Sequence, residues 1–218
     1  FENCTSLSEI TIPTSVKSLK DSCFSRCSSL KIINLPESLN EISDNVFENC
    51  TSLSEITIPT SVKSIGNKAF KECSTLKSID FPTDIKIVGK YAFYKCSSMT
   101  HVFIPTSINS IGENSFGECT SLKLISIPKS FNAENIGIDK MQILNNDDDS
   151  FSLFTFGLKF SKGEGIPVNK EEAIKYYKMA IDKGNSDAMY NYAFMLQNGD
   201  GIPVNKEEAI KYYKMAID

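Results

Sequence analysis

Residues 47–59 read Phe-Glu-Asn-Cys-Thr-Ser-Leu-Ser-Glu-Ile-Thr-Ile-Pro, and the chain opens with the same letters. Residues 1–18 are identical to residues 47–64, and a related copy starts halfway between them, so the repeat has 23 residues. One position of the repeat, the aromatic column, holds Phe1, Phe24, Phe47, Phe70, Phe93 and Phe116. A second position, the thiol column, holds Cys4, Cys27, Cys50, Cys73, Cys96 and Cys119.

Each unit continues with a segment in which apolar residues alternate with other residues, and the segment ends in proline. Ile56 and Ile58 alternate with polar residues, which predicts a short strand with one face turned inward. Pro59 lacks the N–H that a parallel ladder needs, so we expect the strand to end there. One unit cannot bury its apolar side alone, whereas stacked units bury a continuous core. The expected result is a right-handed parallel coil.

The pattern Leu-x-x-Ile-x-Ile-Pro, with a cysteine before it and Ala-Phe after it, resembles the BspA-like leucine-rich repeat. The resemblance covers residues 1 to about 131 with copies in register. It implies a curved solenoid whose strands line the concave side, in a family regarded mainly as binding surfaces. Glu134 stands where Ile111 predicts an apolar residue. We therefore expect the solenoid to fray or to be capped there.

All seven cysteines fall within residues 1–119. Disulfides would suit an oxidising compartment, but the number is odd and the spacing is a repeat period rather than a paired framework. Equivalent cysteines on neighbouring coils point the same inward way, which is a poor approach for a disulfide. The thiol column is therefore interpreted as a reduced, structural ladder of small buried groups. Cys23 occupies the column of small residues that also holds Ala69, Ala92 and Ser115, and we interpret it as a packing residue. The absence of a CxxC or Cys/His cluster argues against zinc.

A candidate partner-binding face follows from the positions that flank the first buried residue of each strand. These side chains should face outward on the concave side. Its apolar and aromatic members are Ile32, His101, Phe103 and Leu124. The last three are neighbours in the last two coils, and an exposed patch of this kind usually marks a contact. Three interpretations stay open: the following segment or the second solenoid covers the patch, a partner binds it, or it is simply exposed to solvent.

His101 is the one histidine of the chain. A catalytic base needs a nucleophile within reach and a third group that orients it. Cys96 and Cys119 belong to the inward column, so a Cys–His dyad is not predicted. No catalytic, cofactor or metal site is predicted anywhere in the sequence, and we interpret the protein as non-enzymatic.

Residues 132–151 lose the 23-residue register and are predicted to form a linker. Residues 145–150 are an acidic, turn-forming cluster. A calcium loop would need a glycine turn and a distal glutamate at set positions, and both are missing. A solvated linker or helix-entry segment is the favoured interpretation.

A second repeat follows the linker. Residues 165–182 recur without change at residues 201–218, a period of 36. Asn169 precedes a predicted helix, and Glu172 three positions later completes a capping-box arrangement. Partner helices are predicted at residues 152–162 and 187–198, each ending at a Gly-x-Gly loop whose glycines supply the left-handed turn.

The Gly-x-Gly-hydrophobic loop and the Glu-Ala-x-x-Tyr-Tyr helix resemble the Sel-one-like repeat, a relative of the tetratricopeptide repeat. The resemblance covers residues 152–218 with nearly two units, although Ile181 and Ile217 replace the more usual alanine. It implies a protein-interaction scaffold, often within adaptor or regulatory complexes. Two units fall short of the roughly three needed for independent stability. We expect that further repeats follow Asp218 or that the first solenoid caps this one.

The predicted fold class is an α+β two-solenoid chain. A leucine-rich-repeat β-solenoid with short parallel strands occupies residues 1–131, and an all-α helical-hairpin repeat solenoid occupies residues 152–218. The net charge of −4 and the absence of a basic run argue against nucleic acid. No apolar stretch approaches the roughly 18 residues of a membrane span.

The predicted function is a non-enzymatic scaffold or adaptor that presents two repeat surfaces to protein or peptide partners. The alternative is a cell-surface adhesion or antigen-like protein that binds extracellular host or matrix proteins. An intracellular location is favoured, with the cell surface as the alternative. Because the chain opens at Phe1 without an initiating methionine, we expect it to be a fragment.

Overall fold

The computed structural model describes residues 1–128, 131, 135–138, 143–146, 149–164 and 166–217. The chain divides into two compact units, Phe1–Asn145 and Asn146–Asp218. The first contains short parallel strands and the second four helices, so the predicted fold class is confirmed.

Two sets of parallel strands run along the first unit. The first set is made of β1 (Glu9–Thr11), β2 (Ile32–Asn34), β5 (Ser78–Asp80), β7 (His101–Phe103) and β9 (Leu124–Pro128), and β10 (Ile143–Asn146) lies next to β9. The second set is made of β3 (Glu41–Ile42), β4 (Ser64–Ile65), β6 (Ile87–Val88) and β8 (Ser110–Ile111). The repeats at residues 24–46, 70–92 and 93–115 thus contribute one strand to each set.

The first set forms two sheets rather than one. Strand β1 pairs with β2, and a separate sheet has the order β10-β9-β7-β5. The predicted strand at Ile56 is wrong, because residues 55–57 form no strand and interrupt the series. The identical segment at residues 9–11 does form a strand. The neighbouring coils, and not the local sequence, therefore decide whether this segment completes a ladder. Strand β10 lies within the predicted linker.

The second sheet, with the order β3-β4-β6-β8, was not predicted as a sheet. Its strands are two residues long, too short to show an alternating pattern. The inward residue of each strand is an aliphatic side chain, buried at Ile42, Ile65 and Val88 and partly buried at Ile111. The register joins Ile42 to Ile65 and Ile65 to Val88, one period apart.

A glycine follows each of the strands β4, β6 and β8, because the backbone of the preceding coil lies too close for a side chain there. A Cβ on Gly66 would lie 2.7 Å from the backbone N of Asp44, and one on Gly89 would lie 2.5 Å from the N of Asn67. Gly112 meets the backbone of Lys90 in the same way. Contacts this short are with backbone and cannot be relieved by a rotamer change.

The aromatic column forms a continuous stack through the centre of the first unit. Successive ring centroids from Phe1 to Phe116 are 5.3, 5.9, 5.2, 5.2 and 5.4 Å apart. The rings from Phe24 onward are fully buried, whereas Phe1 is exposed at the open end of the coil. Offset stacking of this kind adds to the apolar burial of each ring.

The coil continues past residue 131 with a shortened register. The N–H of Asn114 donates to Asn135 O and that of Phe116 to Ile136 O, at 2.7 and 2.9 Å. Regular coils make these bonds 22 residues ahead, as from Phe47 to Ala69. Ile136 is buried in the core. Glu134, where fraying is predicted, lies outside the described residues.

Two turns of each coil pass through left-handed backbone at non-glycine residues. Their φ angles lie between 49° and 62°. The first turn holds Asn3, Arg26, Asn49, Glu72, Lys95 and Glu118. The second holds Ser22, Asn45, Lys68, Tyr91 and Asn114. Side chains other than those of glycine, asparagine and aspartate pay about 1–2 kcal/mol in this region.

The second unit consists of α1 (Asp149–Lys162), α2 (Lys170–Asp182), α3 (Ser186–Asn198) and α4 (Lys206–Met215). Each helix packs on the next one along the chain. Helix α1 begins before residue 152, inside the predicted linker, and α3 begins one residue earlier than predicted. The glycines at the hairpin loops have left-handed backbone, as at Gly163 and Gly199.

Asparagine caps three of the helices. Asn169 accepts a hydrogen bond from the N–H of Glu172 at 3.1 Å, and the cap is confirmed. The reciprocal half of the predicted capping box is replaced, because the N–H of Asn169 donates to Phe160 O at 2.9 Å. This bond joins α2 to the end of α1. Asn185 and Asn205 cap α3 and α4 in the same way.

The glycine column can be tested with Gly89→Ala. We expect the free energy of unfolding in urea to fall by about 2–3 kcal/mol, because the new Cβ forces two coils apart. The matched control is Ser43→Ala at the equivalent position, which already carries a Cβ and loses only the hydrogen bond to Leu19 O. Its cost is about 1 kcal/mol. Equal losses in the two variants would contradict the close-approach argument.

The left-handed turns can be tested with Lys68→Asn. Asparagine tolerates this backbone and already occupies the same column at Asn45 and Asn114. We expect the unfolding free energy to rise by about 0.5 kcal/mol. Lys77→Asn, at an exposed position outside the left-handed region, should leave stability unchanged or slightly lower. A rise in both variants would show that the turn is not the cause.

Candidate functional site

The thiol column joins each coil to the one before it. The Sγ of Cys27 donates to Phe1 O at 3.1 Å, and Cys50 donates to Phe24 O at the same distance. Cys73, Cys96 and Cys119 repeat the bond at 3.1, 3.2 and 3.1 Å. A thiol is a weak donor that fits beside stacked rings. Here it adds a second hydrogen bond to a carbonyl that already accepts a backbone N–H, as Phe24 O does from Cys27.

The environment of the thiols suppresses ionisation. Burial raises the pKa of Cys50 and of Cys119 to about 12. Burial also holds the pKa of Cys73 and Cys96 well above the ordinary value. Because the thiolate is the nucleophile, these side chains are suited to packing and not to covalent chemistry.

The first two cysteines of the chain differ from the others, which are buried. Cys4, predicted as part of the buried ladder, is exposed, so that prediction is wrong at this position. Cys23 is half-buried, and burial raises its pKa to about 11. All seven cysteines are free.

The candidate partner-binding face is only partly open. Ile32 is 48% exposed, whereas His101, Phe103 and Leu124 are buried. Burial of these three agrees with the interpretation that another part of the protein covers them, and the structure does not leave them open to solvent. Apolar groups on neighbouring coils are favourable to bury. The parallel register does bring His101 beside Leu124, as the repeat predicts. A role for the four residues in partner binding stays a prediction.

The surroundings of His101 do not form a catalytic arrangement with a thiol. Its Nδ1 lies 2.9 Å from Thr100 Oγ1. The thiols of Cys96 and Cys119 donate to Phe70 O and Phe93 O, inside the core. Both are protonated in the ordinary pH range because burial raises their pKa.

The open half of the outward face is mostly polar. Glu9 lies in register with Ile32, and Thr11 with Asn34. Asn34 Nδ2 donates to Thr11 Oγ1 at 3.2 Å, which links the two strands on the surface. Glu55 and its neighbour Thr57 continue the exposed row in the next coil. Ile32 is thus an apolar side chain bordered by carboxylates and hydroxyls.

A polar groove of about 360 Å³ lies along another edge of the coil. Its lining combines a column of hydroxyls with one of charges: Thr51, Ser74, Ser97, Thr120, Glu72, Lys95 and Glu118. Lys95 pairs with Glu118 at 3.7 Å, and Tyr94 donates a hydrogen bond to Glu118. This groove was not predicted from the sequence, although its hydroxyl residues recur every 23 residues and that recurrence could have indicated it.

Neither a metal cluster nor a membrane-spanning helix is found in the described part of the chain. No group of three or more His, Cys, Asp or Glu side chains there is arranged to hold a metal ion. None of the described helices has the length and apolar character needed to cross a bilayer.

Two family models match the chain. A BspA type leucine rich repeat region, in 6 copies, matches residues 40–141. A Sel1 repeat matches residues 160–185 and 186–218. Both resemblances seen in the sequence are thereby confirmed. No curated protein matches the chain.

Solved structures of leucine-rich and Sel1 repeat proteins resemble the chain. A leucine-rich repeat protein from Bacteroides ovatus is 36% identical with a TM-score of 0.56, over 58% of this chain and 33% of that one. The T. pallidum leucine-rich repeat protein is 29% identical with a TM-score of 0.52, over 55% and 58% of the two chains. A Sel1 repeat protein from Oxalobacter formigenes is 31% identical with a TM-score of 0.30, over 31% and 28%. The match spans about a third of the first protein and under two thirds of the second.

The raised thiol pKa values predict how stability depends on pH. Below pH 9.0, the ordinary pKa of a thiol, both the folded and the unfolded chain hold the proton. Above it the unfolded chain loses protons that the folded chain keeps, so the free energy of unfolding falls until about pH 12. Each buried thiol contributes up to about 1.4 kcal/mol per pH unit.

The measurement is urea unfolding from about pH 8 to about pH 11, the range in which the unfolded chain loses thiol protons that the folded chain keeps. In Cys50→Ala the free energy of unfolding should fall less steeply with pH than in the wild type, because one thiol with a raised pKa is gone. The exposed thiol supplies the control, and Cys4→Ala should keep the wild-type slope. Parallel slopes for all three proteins would mean that the buried thiols do not set the pH dependence.

Proposed function

We propose that this chain, in which BspA type leucine-rich repeats over residues 40–141 precede Sel1 repeats over residues 160–218, is a non-enzymatic scaffold for protein or peptide partners. Both repeat families generally mediate protein–protein interaction. The open outward row of the first strand set carries the proposal. It is a regular, exposed surface held on a rigid core.

Ile32 is the centre of the proposed partner face. Its side chain is about half exposed in the middle of a polar row, which suits an apolar anchor of a partner. Glu9 lies beside it in the paired strand, and Glu55 occupies the equivalent position of the following coil. A partner that places an apolar side chain on Ile32 and cationic groups near the two carboxylates would be complementary in shape and charge.

The same face suits the alternative function, adhesion at a cell surface. A scaffold and an adhesin would both use an exposed solenoid surface, and the compartment decides between them. The His101, Phe103 and Leu124 cluster enters either function only if the part of the protein that covers it moves away.

Affinity capture with matched variants tests the proposal. The chain, Ile32→Asp and Ile87→Asp are immobilised, and bound proteins are quantified by mass spectrometry. Ile87 is the control because it is an isoleucine with the same 48% exposure on the second sheet. A partner should bind the wild type and Ile87→Asp, and its recovery should fall at least about 10-fold on Ile32→Asp. Equal recovery on both variants would contradict the proposed face.

A further inference from the structure

The coil at residues 47–69, which we call the third coil, is not bonded into the ladder of the first strand set. In the first coil the N–H of Ile12 donates to Asn34 O of the next coil at 3.0 Å, and Ile104 makes the same bond at 2.9 Å further along the chain. Ile58 is the copy of Ile12 in the third coil, with the same sequence on both sides. Within the described range 1–128, no backbone bond joins residues 55–58 to either neighbouring coil. The bond from the N–H of Lys77 to the carbonyl of residue 54, at 3.2 Å, remains beside them.

The other edges of the third coil are bonded to both neighbours. Its strand β4 pairs with β3 of the preceding coil and β6 of the following one. At the turn, the N–H of Arg26 donates to Glu48 O at 2.7 Å, and that of Asn49 donates to Lys71 O at 2.8 Å. The thiol–carbonyl bonds cross the same two boundaries. The third coil is therefore fixed along two edges and free of ladder bonds along one.

The aromatic column is irregular at the same coil. The ring centroids of Phe24 and Phe47 are 5.9 Å apart, whereas the other spacings lie between 5.2 and 5.4 Å. The planes of Phe47 and Phe70 meet at 25°, whereas the other pairs meet at 10° or less. The ring of the third coil is thus further from one neighbour and tilted against the other.

The inward strand residue of the third coil is also less buried than its counterparts. Ile56 is partly buried. The residues at the same position of the second, fourth, fifth and sixth coils are buried, namely Ile33, Ile79, Val102 and Ile125. Because the third coil lies between other coils on both sides, an open chain end does not account for the exposure of Ile56. The missing ladder therefore coincides with an opening on this side of the solenoid.

We propose that the third coil is a hinge of the first unit. The ladder of the first strand set opens and closes there, while the second sheet and the turns serve as the pivot. The closed state has the pairing that the identical residues form in β1. Ile58 is buried, and a backbone N–H without a partner beside a buried side chain favours closing. A hinge needs only a few residues that absorb the change, as residues 55–58 do.

The hinge gives the outward face of the first strand set an adjustable curvature. On one side of it lies the two-stranded sheet β1-β2, and on the other the sheet that begins at β5. Opening and closing change the spacing between the outward side chains of the two sheets, and a ligand that contacts both would fix that spacing. The hinge does not depend on partner binding at Ile32.

Hydrogen exchange of the native chain, followed residue by residue by NMR, tests the opening. Ile12 and Ile58 are a matched pair, because both lie between threonine and proline and are 7% and 6% exposed. Their unprotected exchange rates are therefore equal. We expect the amide of Ile58 to exchange at least about 10-fold faster than those of Ile12 and Ile104. Equal protection of the three amides would overturn the proposal.

Two further amides of the third coil distinguish a hinge from local unfolding. The N–H of Asn49 donates to Lys71 O, and that of Lys63 donates to Asn40 O, each at 2.8 Å. Both lie on the pivot edges, so we expect both to exchange as slowly as Ile12. Fast exchange at Asn49 and Lys63 as well as at Ile58 would mean that the whole coil unfolds, which contradicts a hinge.

The closed state is tested with Asp80→Asn. In the paired strands, Asn34 Nδ2 donates to Thr11 Oγ1 at 3.2 Å. Thr57 is the copy of Thr11, and Asp80 stands in the next coil at the position that Asn34 has beside Thr11. Asparagine at residue 80 copies this pair across the open boundary and should favour closing. We expect the exchange of Ile58 to slow at least about 3-fold, the size of one surface hydrogen bond.

The matched control is Asp84→Asn, which removes the same charge from an exposed side chain paired with Lys63. It should leave the exchange rate of Ile58 within about 1.5-fold of the wild type, because an exposed ion pair contributes little. Unchanged exchange in Asp80→Asn would show that the boundary does not close by pairing, and it would overturn the hinge. Equal slowing in the two variants would assign the effect to charge and contradict the proposal as well.

Discussion

The hydrogen bond from each buried thiol to the phenylalanine carbonyl of the preceding coil is the contact on which the first unit depends. It ties neighbouring coils together inside an apolar core, because the same carbonyl also accepts the N–H of the cysteine three residues on in its own coil, as at Phe24 and Phe47. The bond also requires close approach, and the glycine column at Gly66, Gly89 and Gly112 permits that approach. Stacked phenylalanine rings fill the space beside the thiols. Once coils are held at this distance, both sets of parallel strands can form their ladders.

This constraint separates the surface from the core in a way that matters for function. The residues that hold the coils together are of the same type in every coil. The outward strand positions differ from coil to coil, with Glu9 and Ile32 exposed and Phe103 buried. The same division holds in the helical unit, where α2 and α4 share a sequence but not an environment. In the first unit, the proposed partner face is an apolar side chain, Ile32, bordered by charged and polar residues.

The sequence predicted the parts of the structure that repeat. Recurrence at 23 and 36 residues identified the columns, both families and the Asn169 cap. The predictions failed where strand formation or burial depends on the neighbouring coils. Residues 55–57 have the sequence of β1 but complete no ladder, and Cys4 shares its local sequence with Cys50 but is exposed where Cys50 is buried. The burial of His101 does not follow from its place in the repeat either. The second sheet was missed because two-residue strands carry no period.

Thiol titration of the native chain, before and after denaturation without reductant, tests the central claim most directly. The buried ladder predicts that Cys4 reacts readily and half-buried Cys23 slowly, while the other thiols stay unreactive. All seven should react after denaturation. Rapid reaction of the buried thiols in the native chain would contradict the packed ladder. Thiols that stay missing after denaturation would reveal disulfides in place of the thiol–carbonyl bonds.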